Sequence, residues 1–329
     1  MLAYVLRRIA ATVPLLLAAL TLVFILVESA PGDSADLFFG DRPIPPEARR
    51  RIEAAYGLDR PPAERYLRWI ESAALRGEWG WSVSRSRPVS DVLAAALPRT
   101  LALAGAALAL HLAAGTLLAL LCAWRRGSFL DRALSAGSLA VYSMPTFWLG
   151  LMAILALSYA LPIFPPSSTH SVGAETWPAL RRIADLAWHV ALPASVLGLA
   201  SAASLARLLR AGLLEALGED FVRAARARGA GGARVLVGHA LPNGLLPTIG
   251  LLGLSLPILV SGSLVTEVVF AWPGMGRVAY EAILSKDVPL ILACTLVATL
   301  LVVVGSLLAD LALAAADPRI RLGARGGAS

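Results

Sequence analysis

Long apolar stretches alternate with shorter polar ones along most of the chain. Six of these stretches have roughly the 20 residues that a helix needs to cross about 30 Å of hydrocarbon. They are residues 9–27, 100–124, 133–161, 186–206, 245–265 and 288–309. The stretch at 100–124 contains no Asp, Glu, Lys or Arg. The pattern therefore predicts an all-α membrane protein with about six transmembrane helices.

Composition agrees with this pattern, since 57% of the 329 residues are hydrophobic and only 16% are charged. Such a balance is typical of an integral membrane protein. The net charge of +7 does not indicate nucleic-acid binding, because aromatic residues do not interleave with the basic ones. Cys122 and Cys294 lie inside apolar stretches, where we expect small buried side chains and neither a disulfide nor a metal pair.

Basic residues at the ends of the spans set their orientation. Arg125, Arg126 and Arg132 follow the second span, and Arg207 and Arg210 follow the fourth. Short cytoplasmic loops collect arginine, so these two loops are expected inside, and an even number of spans then places both termini in the cytoplasm. Residues 162–185 are expected to form an outer loop. The first apolar stretch is too long for a signal-peptide core and is expected to remain as a span.

Residues 29–98 follow the first span and are too polar to cross a membrane. Helical periodicity at 46–56 and 62–75, ending at Gly57 and Gly77, predicts a small helical extracytoplasmic insertion. We therefore divide the chain into an N-terminal transmembrane helix (1–28), an extracytoplasmic helical region (29–98), a transmembrane domain (99–317) and a cytoplasmic tail (318–329).

A strongly basic, polar stretch at 215–247 lies between the fourth and fifth spans. Helix-favouring residues predict one helix at 213–228, ended by left-handed positions at Gly229, Gly231 and Gly232. A second helix is predicted at 233–241, with Pro242 stopping it.

Helical spacing assigns two faces to the first of these helices. Phe221, Ala224, Ala225 and Arg228 share one face, which is expected to pack. Arg223 and Arg226 lie on another face and are expected to meet acidic or polar groups of a partner.

The same stretch carries a family resemblance. Arg223-Ala224-Ala225, three residues, Gly229 and, after a spacer, Leu241-Pro242 resemble the EAA loop of permease subunits of binding-protein-dependent ABC importers. Arg223 stands where the general pattern has Glu, and His239 where it has Ile. The surrounding GEDFVRAARARG and HALPNGLLP resemble the dipeptide, oligopeptide and nickel branch. The resemblance implies a coupling loop at 215–247 whose coupling helix docks on an ATPase subunit through Glu219, Asp220, Phe221, Val222, Arg223, Ala224, Ala225, Arg226, Ala227, Arg228 and Gly229.

Further strings resemble the same branch, so that the resemblance covers nearly the whole chain. They are PGD at 31–33, YGLD at 56–59, YSMPTFW at 142–148, TEVVFAWPGMGR at 266–277 and DPRIR at 317–321. The resemblance implies an ABC importer type I transmembrane domain and the first-type permease of a pair.

Six residues are candidates for the translocation path or gate: His111, Tyr142, Pro145, Phe147, Glu267 and Trp272. His111 lies mid-span, where a neutral, hydrogen-bonded histidine in packing is favoured over a substrate contact. Pro145 is expected to kink the third span, and a packing role and a pore-lining role both remain open. Glu267 either lines the outer entrance or is a plain interfacial charge. Small residues at 104–107 and 198–204 predict close helix packing or, alternatively, a smooth pore wall.

Neither a catalytic nor a metal-binding motif is present in the sequence. A P-loop needs Gly-Lys-Ser/Thr, and Lys286, the only lysine, lies between Ser285 and Asp287. ATP and Mg are therefore expected on partner subunits, with no cofactor in this chain. The resemblance implies four kinds of neighbour in a bacterial or archaeal cytoplasmic (inner) membrane: a second permease subunit of the same fold, two ATPase subunits, an extracytoplasmic solute-binding protein and membrane lipid.

The resemblance implies ATP-driven import of dipeptides or oligopeptides by a non-catalytic subunit. Nickel or another small solute is the alternative, although four His, four Met and two Cys are too scattered to indicate a metal path. From a different class, an ATP-independent channel or carrier would move substrate without copurifying with an ATPase. A receptor or scaffold is disfavoured, because the sequence has no recognisable signalling domain.

Overall fold

The computed structural model describes residues 2–29, 59–245 and 263–316, together with Glu47 and Thr248. Within these residues, four helices are long and apolar enough to cross a membrane: Ala10–Ser29, Val89–Trp124, Ala179–Ala216 and Val288–Leu308. A fifth span results if the bent pair Phe129–Ser143 and Thr146–Ala160 counts as one. The all-α membrane class is thus confirmed. The span predicted at 245–265 and the helix predicted at 46–56 lie almost wholly outside the described residues.

Within the part of the chain that the structure describes, the regular elements are helices and one short hairpin. The helices, numbered in chain order, are α1 Leu2–Ser29, α2 Pro62–Glu71, α3 Val89–Trp124, α4 Phe129–Ser143, α5 Thr146–Ile154, α6 Ala179–Ala216, α7 Asp220–Ala227, α8 at residues 232–244, α9 Met275–Leu284 and α10 Val288–Ala316. Residues 263–269 are also helical. π-helical turns extend α2 (Ser72–Arg76) and α5 (Leu155–Ala160). Strands β1 (Trp81–Ser82) and β2 (Arg87–Pro88) are antiparallel, with Ser82 opposite Arg87.

Helices α3 and α6 are much longer than the spans predicted within them. They contain 36 and 38 residues, which corresponds to about 54 and 57 Å at 1.5 Å per residue. Either length is nearly twice the hydrocarbon layer of a bilayer. The turns outside the apolar stretches carry polar side chains such as Asp91 and Arg210. The helices that cross the membrane therefore also build parts of the protein outside it.

The third predicted span is broken at Pro145, and not merely kinked. Helix α4 ends at Ser143, Met144 is extended with φ −83° and ψ 140°, and α5 begins at Thr146. The two helices are bent by 102°. Proline lacks an N–H and disfavours the helical conformation of the residue before it, which explains why the break falls at Met144.

The chain divides into two compact units, and unit 1 comprises residues 1–100 and 273–303. Its core joins the first turns of α3 to α9 and the start of α10 through buried Val89, Val92, Ala282 and Leu290. A second cluster contains Leu20, Phe24 and Leu292. The ring of Phe24 stacks on Tyr66 at a centroid distance of 4.9 Å. Helix α2 thus packs against the first span.

Asp287 fixes the β1–β2 hairpin against the start of α10. Its carboxylate is buried, with 1% of the residue exposed. It accepts hydrogen bonds from the hydroxyls of Ser82 and Ser84 at 2.6 and 2.7 Å, and from the N–H of Ser84 at 3.0 Å. It also accepts from the N–H of Leu290 at 3.4 Å, as a helix N-cap does. Because a buried carboxylate needs such donors, these bonds determine where the hairpin lies.

Unit 2 comprises residues 101–272 and 304–329, and small residues bring its helices α3 and α6 together. A Cβ added to Gly198 would lie 2.5 Å from the carbonyl oxygen of Ala107. One added to Gly115 would lie 2.7 Å from a methyl group of Leu205. Ala107 itself is 0% exposed. Close packing, the first of the two roles that the sequence leaves open, therefore applies to these positions.

Candidate functional site

The polar stretch at 215–247 contains two helices as predicted, but the first is interrupted. Helix α6 ends at Ala216, and α7 begins only at Asp220. Between them, Leu217 and Gly218 form a turn and Glu219 is extended, with φ −75° and ψ 157°. A single helix over 213–228 is therefore wrong, because glycine is a poor helix residue and the turn at Gly218 ends α6. The candidate docking helix α7 is a separate element of 8 residues.

Gly229 ends α7 in the left-handed conformation, with φ +86°. Its N–H donates to the carbonyl of Arg226 at 2.9 Å, and the N–H of Ala230 donates to the carbonyl of Ala225 at 3.1 Å. These two bonds form a Schellman motif, which confirms the prediction for Gly229. The prediction for Gly231 and Gly232 is wrong: Gly231 has φ −69° and Gly232 begins α8, since one left-handed residue is enough to end α7.

Helix α8 continues past Pro242, so the stop predicted at this residue is also wrong. The middle of α8, Val235–Ala240, is π-helical, and the N–H of Leu241 donates to the carbonyl of Leu236. The wider turn shifts the hydrogen-bonding register. Pro242 then lies in the first turn of a new α-helical segment, Leu241–Gly244, where a missing N–H costs little.

Helix α7 packs through a face that shares only Ala225 with the predicted one. Val222 is 0% exposed and Ala225 is 2% exposed. Phe221, Ala224 and Arg228, which were expected to pack, are exposed. Apolar residues occur on more than one side of this short helix, so spacing alone does not select the packed side. The packed side of α7 is the one that faces the neighbouring π-helical turn of α8, which α7 contacts.

The docking segment, residues 219–229, exposes arginines together with one large apolar side chain. Nine of its eleven residues are exposed: Glu219, Asp220, Phe221, Arg223, Ala224, Arg226, Ala227, Arg228 and Gly229. Phe221 is 38% exposed. Arg223 forms an ion pair with Asp220 one turn earlier on the same helix. This surface is complementary to a cleft that has both apolar and acidic groups.

Helix α8 joins the docking segment firmly to α6. Leu236 and Ala240 of α8 share a buried cluster with Leu209 and Leu213 of α6. Near the end of α8 the backbones themselves approach, since a Cβ added to Gly212 would lie 2.7 Å from the carbonyl oxygen of Gly244. A displacement of α7 and α8 is therefore expected to move the end of α6 with them.

A partly buried ion pair between α4 and α6 was not predicted. The Asp131 carboxylate accepts from Arg210 Nε at 3.1 Å and from a terminal guanidinium nitrogen at 2.8 Å. The N–H of Gly127 also donates to it, at 3.0 Å. Asp131 and Arg210 lie 79 positions apart in sequence. The one local signal was the capping sequence that begins at Ser128, whose hydroxyl accepts from the N–H of Asp131 at 3.2 Å.

The six candidate path residues have different surroundings. His111, Glu267 and Trp272 are buried, with at most 3% exposed. Tyr142, Pro145 and Phe147 are exposed around the break between α4 and α5. His111 is 3% exposed, which agrees with the packing role that the sequence favours. Trp272 packs in a cluster with Leu103, Ala107, Ala194 and Leu197. Their roles in translocation stay predictions.

Cysteine, histidine and carboxylate side chains are dispersed in the part of the chain that the structure describes. No three of them are grouped there so as to hold a metal ion. Cys122 and Cys294 are buried and form no disulfide.

Two family models match most of the chain. The model of the binding-protein-dependent transport system inner membrane component matches residues 115–322. The model of the N-terminal part of such membrane components matches residues 1–104.

Several bacterial permeases are similar over nearly their whole length. The oligopeptide transport system permease protein AppB of Bacillus subtilis (strain 168) is 38% identical over 321 residues, which cover 97% of this chain and 99% of that protein. The dipeptide transport system permease protein DppB of Escherichia coli (strain K12) is 33% identical, covering 98% and 99%. The di/tripeptide transport system permease protein DppB of Pseudomonas aeruginosa (strain UCBPP-PA14) is also 33% identical, with the same coverage of 98% and 99%.

A solved structure has a similar fold. It is described as inward-facing conformations of the MetNI methionine ABC transporter, and one of its chains aligns with a TM-score of 0.52 at 20% identity. The alignment covers 69% of this chain and 96% of that chain. The expected ABC importer transmembrane fold is thus confirmed.

Proposed function

This chain belongs to the family of binding-protein-dependent transport system inner membrane components, and on that premise we propose that it is the permease subunit of an ATP-driven peptide importer. The observation that carries the proposal is the similarity to oligopeptide and dipeptide permeases over 97% and 98% of the chain. The chain is a multi-pass inner-membrane component, and its part in the import cycle is to form the peptide path.

We infer that α7 docks on an ATPase subunit at the cytoplasmic side. Val222 and Ala225 hold the helix on the protein, while Phe221 and the arginines remain available to a partner. Arg223 already pairs with Asp220, so an acidic group of the ATPase would exchange with, or add to, an exposed pair of low energy. ATP and Mg bind to the ATPase subunits, because the sequence around Lys286 has no P-loop.

The complete importer contains a second permease subunit of the same fold, two ATPase subunits and an extracytoplasmic solute-binding protein. Arginines after the second and fourth predicted spans support a cytoplasmic position for the docking segment and for both termini. The solute-binding protein then delivers peptide from the opposite side of the membrane.

Docking transmits motion because the docking segment is not a loose loop. The Schellman motif at Gly229 fixes the end of α7, and the buried cluster of α6 and α8 connects it to a membrane-crossing helix. The Asp131–Arg210 pair connects α6 to α4. Closure of the ATPase dimer around ATP therefore moves these helices together, and the spans rock between inward-open and outward-open forms.

The test is peptide uptake by the complete importer in proteoliposomes, with ATP hydrolysis measured in parallel. Arg226→Glu/Arg228→Glu reverses the exposed charge of α7, and uptake per ATP hydrolysed is expected to fall at least about tenfold, because like charges would then face the acidic groups of the ATPase. Arg125→Glu/Arg126→Glu is the control, because it makes the same charge change in another exposed, arginine-rich loop.

Three results would contradict parts of the proposal. Unchanged coupling in the α7 variant would remove the docking role. Uptake of nickel ions without uptake of peptide would show that the substrate is wrong. Peptide transport along an ion gradient by the purified chain alone would show that the ATPase is not needed.

A further inference from the structure

Unit 1 contains a cavity of about 200 Å³ whose polar lining is mostly arginine. We call it the arginine cavity. Its guanidinium groups come from three elements: Arg85 and Arg87 from the hairpin, Arg99 from α3 and Arg277 from α9. Val92 and Val278 supply an apolar floor, and Glu281 is the one acidic residue among the described residues of the lining. The cavity lies in the segments that the sequence places on the outer side of the membrane.

The arginine cavity already binds one carboxylate, which belongs to the chain itself. Glu281 accepts from Arg277 Nε at 2.8 Å with one oxygen and pairs with Arg85 through the other. The guanidinium groups are thus directed so that they bind carboxylate oxygens. Arg87 is exposed and forms no ion pair within the described residues, so its guanidinium group remains available to a second carboxylate.

The frame around the arginine cavity is rigid. Asp287 fixes the hairpin that carries Arg85 and Arg87. The N–H of Met275 donates to Thr100 Oγ1 at 2.7 Å, which joins the start of α9 to α3 next to Arg99. Val92 and Val278 belong to the buried core of the unit. The backbone segments that carry the arginines are therefore held in place before a ligand binds, so binding would have to order side chains but not backbone.

We propose that the arginine cavity binds the C-terminal carboxylate of the substrate peptide as it passes from the solute-binding protein into the spans. This assignment rests on the proposed function. Guanidinium groups match the geometry of a carboxylate, and the apolar floor suits the last side chain whatever its identity. A volume of about 200 Å³ suits one or two residues of a peptide. A protein partner would instead need roughly 800 Å² of contact surface.

The experiment compares uptake of one tripeptide as the free acid and as the C-terminal amide. The complete importer is reconstituted with its ATPase subunits and binding protein, and variants are compared at equal amounts of purified complex. Arg87→Gln/Arg99→Gln is expected to lower acid uptake about tenfold, a loss of ~1.4 kcal/mol, and to change amide uptake by less than about twofold. The solute-binding protein is the same in every sample. Its own preference for the acid or the amide therefore cancels when the uptake of each peptide by the variant is divided by that of the wild type.

Two further variants complete the experiment. Arg68→Gln removes an arginine of α2 that lies outside the cavity and pairs with Glu64 on the surface; it is expected to change neither uptake. Arg87→Lys/Arg99→Lys keeps the charge without the guanidinium geometry and is expected to retain part of the preference for the acid.

Either of two results overturns the assignment. Equal loss of acid and amide uptake would mean that the arginines serve the binding protein, a lipid phosphate or folding. Unchanged uptake of both would mean that the cavity is not a site. A wild-type importer that takes up neither peptide would instead overturn the proposed function, and the assignment with it.

Discussion

The docking segment and the arginine cavity are built in opposite ways. The docking segment takes all its exposed groups from eleven consecutive residues, 219–229. The arginine cavity combines groups from three elements, and its Arg85–Glu281 pair joins positions 196 apart in sequence. A site made from consecutive residues is visible as a motif, whereas a site made from distant ones is visible only in the fold. This difference predicts where each site is vulnerable to substitution.

The arginine cavity should be most sensitive at a residue that does not line it. Asp287→Ala removes the acceptor for two serine side chains and one N–H that hold the hairpin. We expect a loss of about 3 kcal/mol in stability, because the buried Ser82 hydroxyl loses its acceptor and the hairpin loses its attachment to α10. Thermal unfolding of the purified complex measures this loss, and the acid preference should disappear with it. Asp91→Ala is the control, since Asp91 is an exposed carboxylate in the first turn of α3. Equal effects of the two changes would refute the role of Asp287.

The docking segment also depends on an ion pair between distant residues, Asp131 and Arg210, which join α4 to α6. In this respect it resembles the arginine cavity. Arg210→Ala leaves the Asp131 carboxylate buried, and we expect a loss of about 2 kcal/mol because Arg210 is itself partly exposed. Asp131→Asn/Arg210→Ala should recover part of this loss, since the amide carries no charge. Unfolding midpoints of the single and double variants provide the measurement. A double variant less stable than Arg210→Ala alone would show that charge is not the cause.

Gly229 is the point where the docking segment is most vulnerable to a local change. Gly229→Val forces a β-branched residue to φ +86°, which costs roughly 1–2 kcal/mol. We expect α7 to lose its fixed end, so that ATP hydrolysis continues while peptide uptake falls. Gly231→Ala is a close control, because Gly231 has φ −69° and open space around it. If both substitutions leave uptake per ATP unchanged, the end of α7 does not matter for coupling.

The smallest effect on stability is expected at the exposed side chain of α7. Phe221→Ala should change stability by less than about 0.5 kcal/mol but weaken binding of the ATPase subunit about tenfold, ~1.4 kcal/mol. Binding to the permease in nanodiscs measures this affinity. Phe129→Ala is the control, since Phe129 is 81% exposed at the start of α4 and lies outside the docking segment. Equal losses in the two variants would mean that Phe221 has no special role.

Local chemistry explains what the sequence could predict about the docking segment. Gly229, with its left-handed end, and the exposed arginines follow from consecutive residues. The turn at Gly218 and the helix that continues through Pro242 do not, because a packed helix end and a π-helical turn override the usual preferences of these residues. The buried face of α7 depends on where α8 lies. That position is set by the contact between Gly212 and Gly244, residues in different helices.

The spans also have features that follow from local sequence and features that do not. Apolar length identified each described span, because a run of about 20 apolar residues matches the thickness of the hydrocarbon layer and is rare in water-soluble helices. The full lengths of α3 and α6 were missed, since their outer turns contain ordinary helix-forming residues with no apolar excess. Likewise, Arg85, Arg99 and Arg277 give no local sign that they share a cavity. Only the packing of the hairpin, α3 and α9 brings them together.

Docking of α7 on the ATPase is tested most directly by a photocrosslinker, benzoylphenylalanine, in place of Phe221 in the complete importer. A second probe replaces Arg182, which the sequence places near the end of the outer loop. We expect position 221 to crosslink to the ATPase subunit, with a yield that changes when ATP is trapped in the complex, and position 182 to give no such product. Crosslinking of position 221 to the solute-binding protein, or of position 182 to the ATPase, would contradict the account.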